Sequence, residues 1–448
     1  MIKTELPGTK LLLVDDLDPE DLAMLQALYS RSAESAEVHL DKVAKAGSGK
    51  FMADYYVGYN HKSIADCGST TLFMEGVSTL AAKAVQDWPL YSGQETSTRY
   101  IDMGKQRIVD PVGSDRSGAL LESWMSFYRS KQDRVADTVR ARYPKRPEED
   151  EGKYERAVKA RTFDVMRGFL PAGITTQLSW HTNLRQAGDH LSGLAKHPAT
   201  EVRELGRALQ KMIAARYPSS GAVGQAAVSA VTGDRSAREA WEASVSAKFA
   251  YHEGASVRGT GWAVCMLSTL HLMRSYDDAL RTRPRGCVLP HFFSDLGHVS
   301  FSFGLDFGSF RDIQRHRNGV CRMPLLATDG GFDRWYLDQL DGELRHEVTA
   351  MVDYLSREIG EISDDPVQRQ YYTALGFRVP CHVTYALPAA LYVMELRSSK
   401  TVHPTLRRVV HSMIREFKDR YPDVALHADT DPDDWTLRRG DQTITAKT

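Results

Sequence analysis

One ordered series of phrases occurs twice along this chain, and nothing else in the sequence limits its architecture so tightly. The stretch KMIAARYP, ending at Pro218, recurs as SMIREFKDRYP, ending at Pro422. Each closes a helical pattern opened by a His-Pro pair, His197–Pro198 and His403–Pro404. Proline suits the first turn of a helix, where its missing N–H would be unpaired anyway. Ahead of these helices lie LPAGITTQLSWHTNLRQAGDHLSG in the first half and VPCHVTYALPAALYVMELRS in the second. Further back, DCGSTTLFMEGVSTLAAKAVQDW parallels LGHVSFSFGLDFGSFRDIQRHR. Three parallel segments in one order argue for a duplication and against coincidence among short helical phrases. The Gly/Ala/Ser-rich stretch PSSGAVGQAAVSAVTGDRSA reads as the connector, so repeats are expected over 1–225 and 226–448.

Within the copies, strand-like and helical patterns alternate. Residues 19–46 carry helical spacing and open on Pro19 with acids behind it. KSIADCGSTTLFMEGVSTLAAKAVQDW reads as a short strand-like piece running into a helix, and GITTQLSWHTN alternates as a strand does. From DRSGALLESW onward, long amphipathic helices dominate.

A length of 448 residues allows two or three cores. The 57 basic and 58 acidic residues nearly cancel, which removes any general pull toward nucleic acid or an anionic membrane. An anionic ligand must therefore be held by a local cluster. The N-terminal apolar run is short and soon closed by acids, unlike a signal peptide, and no stretch approaches a membrane span. Five scattered cysteines without C-x-x-C spacing suit reduced thiols and a cytoplasmic setting, not a disulfide framework or a zinc site.

Two local patterns carry chemistry. YSGQETSTRY, residues 91–100, packs hydroxyls, an amide, a carboxylate and an arginine into ten positions, a surface made for hydrogen bonding. Arg99 there can grip an anion with two parallel N–H donors. Arg315-His316-Arg317 closes the corresponding segment of the second half. The plain alternative for Glu95 and Arg99, four apart, is a helical ion pair worth about 0.3 kcal/mol. His298 reads as a core histidine, His291 as polar packing near a turn, and His197 and His403 as helix starters. No H-x-x-x-H spacing accompanies them, so no metal site is expected. Cys67 and Cys321 read as buried thiols, not nucleophiles.

Together these patterns resemble the flavin-dependent thymidylate synthases, the ThyX family. That family's signature is R-H-R, seven residues, then Ser, with the fuller ending S-x-N-E-x-S-x-R-Y. SGQETSTRY matches the ending, with Gln94 in the Asn place and Ser92, Glu95, Ser97, Arg99 and Tyr100 in the others. Where R-H-R should precede it stand Asp87, Trp88 and Pro89; conversely, Leu325 stands where the serine should follow Arg317. Each half has kept what the other has lost. YNHKSIAD, with His61 and Ser63, resembles the upstream H-x-S segment. MRGFLP, with Arg167, resembles A-R-x-x-L-P, and WHTNLR, with Asn183 and Arg185, the turn after it. Arg397 matches a substrate-contacting arginine, and its first-half equivalent is Leu194. Double-length relatives in this branch include enzymes that methylate uracil nucleotides.

The resemblance implies an α+β fold of two tandem ThyX-like lobes, each a twisted sheet packed with long helices, forming a pseudo-dimer within one chain. It implies an enzyme that methylates C5 of dUMP or UMP, with methylenetetrahydrofolate as carbon donor and NADPH-reduced FAD as hydride source. Gln94, Glu95, Ser97, Arg99, Arg167 and Arg397 are then expected to bind the nucleotide. Arg315, His316, Arg317, His61, Ser63, Asn183 and Arg185 are expected to hold the flavin. Arg397 and His316 are the expected catalytic pair. The expected assembly is a homodimer equivalent to the family's tetramer, with no nucleic acid or membrane partner. A one-carbon transfer ending in a hydroxymethyl group, and a non-catalytic flavin- or nucleotide-binding protein, stay open as alternatives.

Overall fold

A computed structural model describes residues 2–6, 9–32, 34–46, 62–99, 101–218, 262–266, 276–433 and 435. The expected repeat boundary, its connector and His61 lie outside the described residues, as does the side chain of Ser63. The fold class is α+β, with small antiparallel sheets among helices. Its strands are β1 (Ile2–Leu6), β2 (Thr9–Leu13), β3 (Ser69–Ser78), β4 (Thr175–Asn183), β5 (Trp262–Met266), β6 (His298–Asp306), β7 (Gly319–Arg322) and β8 (Arg378–Ala386). No described helix is long and apolar enough to cross a membrane.

The chain divides into two compact units. The first takes residues 1–74, 90–95 and 177–247; the second takes 75–89, 96–176 and 248–448. In the first, β1 and β2 form a hairpin with Ile2 opposite Leu13. The helical spacing of residues 19–46 resolves into two helices, Pro19–Tyr29 and Ala36–Ala46, which bury Met24, Leu25 and Val43 together. Farther along, His197 Nδ1 accepts the Ala199 N–H at 3.1 Å just ahead of the helix Thr200–Arg216. That contact orders the turn before the helix, which itself has no side-chain cap.

The second unit holds a four-stranded antiparallel sheet in the order β5-β6-β8-β7. In the central pair, His298 lies opposite Ala386 and Asp306 opposite Arg378. Because side chains alternate faces along a strand, Val299, Phe301, Phe303 and Leu305 all point into the core. The same alternation turns His298 outward, and it is exposed, not the core histidine its apolar neighbours suggested.

The middle of this unit is a seam where two similar turns meet, Arg167–Phe169 and Gln370–Tyr372. Gly173 donates its N–H to Tyr371 O at 2.8 Å, and Gly376 donates to Gly168 O at 2.8 Å. Ala172 donates to Thr373 O at 2.9 Å, and Leu375 to Leu170 O at 2.8 Å. Each bond becomes the other member of its pair when one turn is laid on the other. The relation extends outward: Thr79 N–H to Ile174 O is matched by Phe307 N–H to Phe377 O, and Val109 N–H to Gly173 O by Asp333 N–H to Gly376 O. Glycine is required here for space. A Cβ on Gly173 would stand 2.6 Å from Val109 O, and one on Gly376 would stand 2.6 Å from Phe332 Cζ. Trp124, fully buried, ties its Nε1–H to Tyr372 O at 3.0 Å across the same seam.

Candidate active site

Arg315, His316 and Arg317 follow the short helix Phe307–Ile313 and precede β7. That helix is started by Asp306, whose carboxylate accepts the Ser309 N–H at 3.0 Å and satisfies one of the orphan donors of the first turn. Asp306 also accepts from Tyr336 Oη at 2.8 Å and Thr405 Oγ1 at 2.6 Å, so its buried charge is met by three donors. Beyond the R-H-R turn the chain enters β7 at Gly319, where a Cβ would strike Thr384 O at 2.3 Å. Arg315 is exposed, and His316 and Arg317 are half-buried.

Arg397, at the end of the helix Leu387–Arg397, reaches the same turn. Its Nε–H donates to His316 Nε2 at 2.7 Å, and its Nη2 donates to Asp312 O at 2.9 Å. A guanidinium can only donate, so His316 Nε2 carries no proton and the ring proton sits on Nδ1. Burial, then the charges of Arg397, Arg317 and Arg315, lower His316 to about 3, against the opposing pull of Asp312. The imidazole is therefore neutral at ordinary pH.

The first half of the chain supplies two more cations. Arg167 is buried, with Nη2 on Ser309 Oγ at 2.8 Å and Nη1 on Asp312 Oδ2 at 3.4 Å. At 1% exposure it has no open surface of its own, and it meets the site from behind Asp312. Arg99 is bidentate on Asp164, Nε to Oδ1 at 2.7 Å and Nη2 to Oδ2 at 3.1 Å. Burial alone would push the Asp312 carboxyl up. The charges of Arg167, Arg99, Arg315 and Arg397 outweigh it and hold the group below the usual carboxylate range. Counting Arg317, five guanidiniums gather here around the carboxylates of Asp164, Asp306 and Asp312, and neutral His316 adds no charge.

Other expected site residues belong to the first compact unit. Gln94 and Glu95 lie in an extended stretch against β4: Gln94 N–H donates to Ser179 Oγ at 3.2 Å, and Glu95 bridges Leu178. Asn183 caps the helix Leu184–Leu194 through Gln186 N–H at 2.8 Å, and Arg185 pairs with Asp66 at 2.6 Å. Ser97, in the second unit, accepts the Arg99 N–H at 3.2 Å and shapes the turn that carries it. Cys321 contacts Tyr385 Oη at 3.0 Å, and burial pushes its thiol up to about 11, which leaves it unsuited to nucleophilic attack.

Two members of the cluster, Asp164 and Asp312, were not singled out from the sequence. An acid inside a helical run normally marks a solvated face. Here the available signal was spacing, since Asp164 and Asp312 stand three residues before Arg167 and Arg315.

The family model for the thymidylate synthase complementing proteins, Thy1, matches residues 12–219. Those residues are similar to the Thy1 family. Three relatives extend the likeness well past the matched segment. A UPF0159 protein of Chlamydia pneumoniae is 25% identical over 424 residues, covering 81% of this chain and 78% of that protein. A UPF0159 protein of Chlamydia muridarum is 24% identical over 434 residues, covering 83% and 79%. One of Thermoplasma acidophilum is 22% identical over 489 residues, covering 90% and 94%.

The charged cluster stands at one place in this chain and is absent from its counterpart. Ser78 starts the helix Thr79–Gln86 as Asp306 starts Phe307–Ile313. Laying one cap on the other sets Ala84 on Asp312 and Asp87, Trp88 and Pro89 on the R-H-R residues. Laying the seam turns together sets Gln370 on Arg167 and Val367 on Asp164. Gln370 there accepts the Leu326 N–H at 3.0 Å, sealing backbone where Arg167 carries charge.

Proposed function

We propose that this chain is a flavin-dependent enzyme that methylates C5 of a uracil nucleotide, dUMP or UMP, at one composite site built by two Thy1-like lobes. The observation that carries this reading is the shared cluster: Arg99 and Arg167 from the first half, and Arg315–Arg317 and Arg397 from the second, all act on Asp312 or its neighbour His316. Two chains would bring four lobes together as a homodimer.

The donor set fits anionic ligands. Guanidiniums match phosphate oxygens in planar, paired geometry, and an arginine-rich cluster suits a nucleotide phosphate beside a flavin diphosphate. Arg167 is sealed behind Asp312 and reaches a ligand only through its charge, whereas Arg315 is exposed and offers its donors directly. Arg99 is assigned to the phosphate of the nucleotide, and Arg315 and Arg317 to the flavin dinucleotide. Bound FAD, reduced by NADPH, supplies the hydride, and methylenetetrahydrofolate supplies the carbon. Arg397 is held by His316 and by the Asp312 carbonyl, so its charge is oriented before any ligand arrives. A fixed cation near a uracil carbonyl would stabilise negative charge on that oxygen, and so the anionic form of the base whose C5 is nucleophilic. Neutral His316 serves as an acceptor for Arg397 and adds no charge of its own. No serine or cysteine nucleophile is needed.

Purified protein supplied with FAD, NADPH and methylenetetrahydrofolate should convert dUMP or UMP to a product heavier by one CH2, seen by mass spectrometry. Product with an added hydroxymethyl group would redirect the reading to that chemistry. Absence of any product and of flavin binding would end it.

A further inference from the structure

The Arg99–Asp164 pair has the fork-on-fork form that an arginine takes with a phosphate. A buried carboxylate in that position admits two opposite meanings. It is either a competitor that a nucleotide must overcome, or a brace that fixes the arginine in the pose a nucleotide requires.

Three observations favour the brace. Asp164 is itself held from behind: its carbonyl is 3.2 Å from His403 Nε2, and a carbonyl only accepts, so His403 donates from Nε2. The other nitrogen, Nδ1, accepts from Thr405 N–H at 3.4 Å, which fixes the same tautomer. His403 is fully buried and packs edge-on against Trp335 at 4.8 Å, so this support has little room to move. Second, Asp164 lies on the same helix, Glu151–Met166, whose end delivers Arg167 to Asp312. The two cations are therefore set by one rigid element. Third, the Arg99 and Asp164 side chains are 13% and 7% exposed, where a long side chain left unbraced would lose its fixed geometry.

We infer that Asp164 is a positioning residue for nucleotide binding: it holds Arg99 in its binding pose. The inference rests on the nucleotide role given to Arg99 above. It makes a prediction whose sign opposes simple electrostatics. Taking a negative charge away from a phosphate site should tighten binding if charge alone matters. Removing a brace should loosen it.

The test is titration of wild type, Asp164→Asn and Asp164→Glu with dUMP and UMP, with flavin affinity and thermal melting measured on the same samples. Asn keeps the shape of Asp and so the fold; Glu keeps the charge but displaces the fork. Both variants should bind the nucleotide about tenfold more weakly, with flavin affinity unchanged. That split between two ligands is one that a general loss of structure would not give. Asp164→Asn binding the nucleotide as tightly as wild type, or more tightly, overturns the inference while leaving the function intact. Wild type binding neither nucleotide overturns the functional reading, and the inference with it.

Discussion

Arg397 donates its Nε–H to the Nε2 of His316 at 2.7 Å, a bond that only a neutral imidazole can accept. Two groups that would repel one another as ions are joined because one of them stays uncharged. The bond settles the tautomer of His316 and points Arg397 at the turn that carries Arg315 and Arg317.

This has a consequence for acid stability. Burial and neighbouring arginines depress His316 from an ordinary value near 6.5 to about 3, and burial takes His403 well below its ordinary range. In the unfolded chain both would take up protons as pH falls through about 6.5, while the folded protein would not. Their contribution is thus full above that pH and is lost progressively as pH falls toward 3. Denaturant melts between pH 7 and 4 should show falling stability on the acid side. His316→Gln, which keeps an acceptor for Arg397, should show a shallower fall. Equal slopes would mean that His316 already titrates normally in the folded state.

Replacing Arg99 separates charge from geometry. Arg99→Ala removes the bidentate contact to buried Asp164, so about 3 kcal/mol of stability should go with the nucleotide affinity. Arg99→Lys keeps a charge near Asp164 but cannot form the two-pronged contact. It should melt close to wild type, hold flavin, and bind dUMP or UMP roughly tenfold more weakly. Loss of flavin with nucleotide affinity retained would reverse the division of labour.

The seam gives a test of packing alone. Gly173→Ala places a methyl 2.6 Å from Val109 O and 2.9 Å from Tyr371 O, both backbone atoms that cannot swing aside. Overpacking of this kind should destabilise by about 1–3 kcal/mol. Gly118→Ala, in the helix Asp115–Ser130 with nothing within 4 Å of the new methyl, should instead stabilise by about 0.5–1 kcal/mol. Chemical melts of the two variants measure both signs.

Stoichiometry follows from the unequal counterparts. Ala84, Trp88, Pro89, Val367 and Gln370 stand where the intact cluster has Asp312, His316, Arg317, Asp164 and Arg167. Titration calorimetry should therefore find one nucleotide per chain. Two equivalent sites per chain would mean that the uncharged counterpart also binds.

Much of this was legible before any coordinates. The paired phrases ending at Pro218 and Pro422 do close two long helices, Thr200–Arg216 and Pro404–Arg420, as their spacing suggested. The strand at Thr175–Asn183 showed through its alternation. The complementary halves of the motif pointed to Arg99 and Arg315–Arg317, which do share one compact unit. The acids that organise them were harder to read, because an acid three residues before an arginine in a helical run normally marks a solvated face, and nothing in that spacing points to Arg99, distant in sequence. His298 misled for a related reason: its neighbours Val299 and Phe301 are apolar, but strand alternation, not neighbourhood, decides which way it faces. The burial of Arg167 depended on a helix end meeting Ser309 and Asp312 from the other half, a contact that sequence spacing does not encode.

The most direct test of a site shared between the repeats is a crystal structure with FAD and dUMP, or UMP, bound. The expected result has the nucleotide phosphate within hydrogen-bond reach of Arg99 from the first half of the chain. It has the flavin dinucleotide on Arg315 and Arg317 of the second, with Arg397 facing the uracil. Both ligands held by residues of a single repeat, with Arg99 still closed on Asp164 and remote from either, would contradict the composite site.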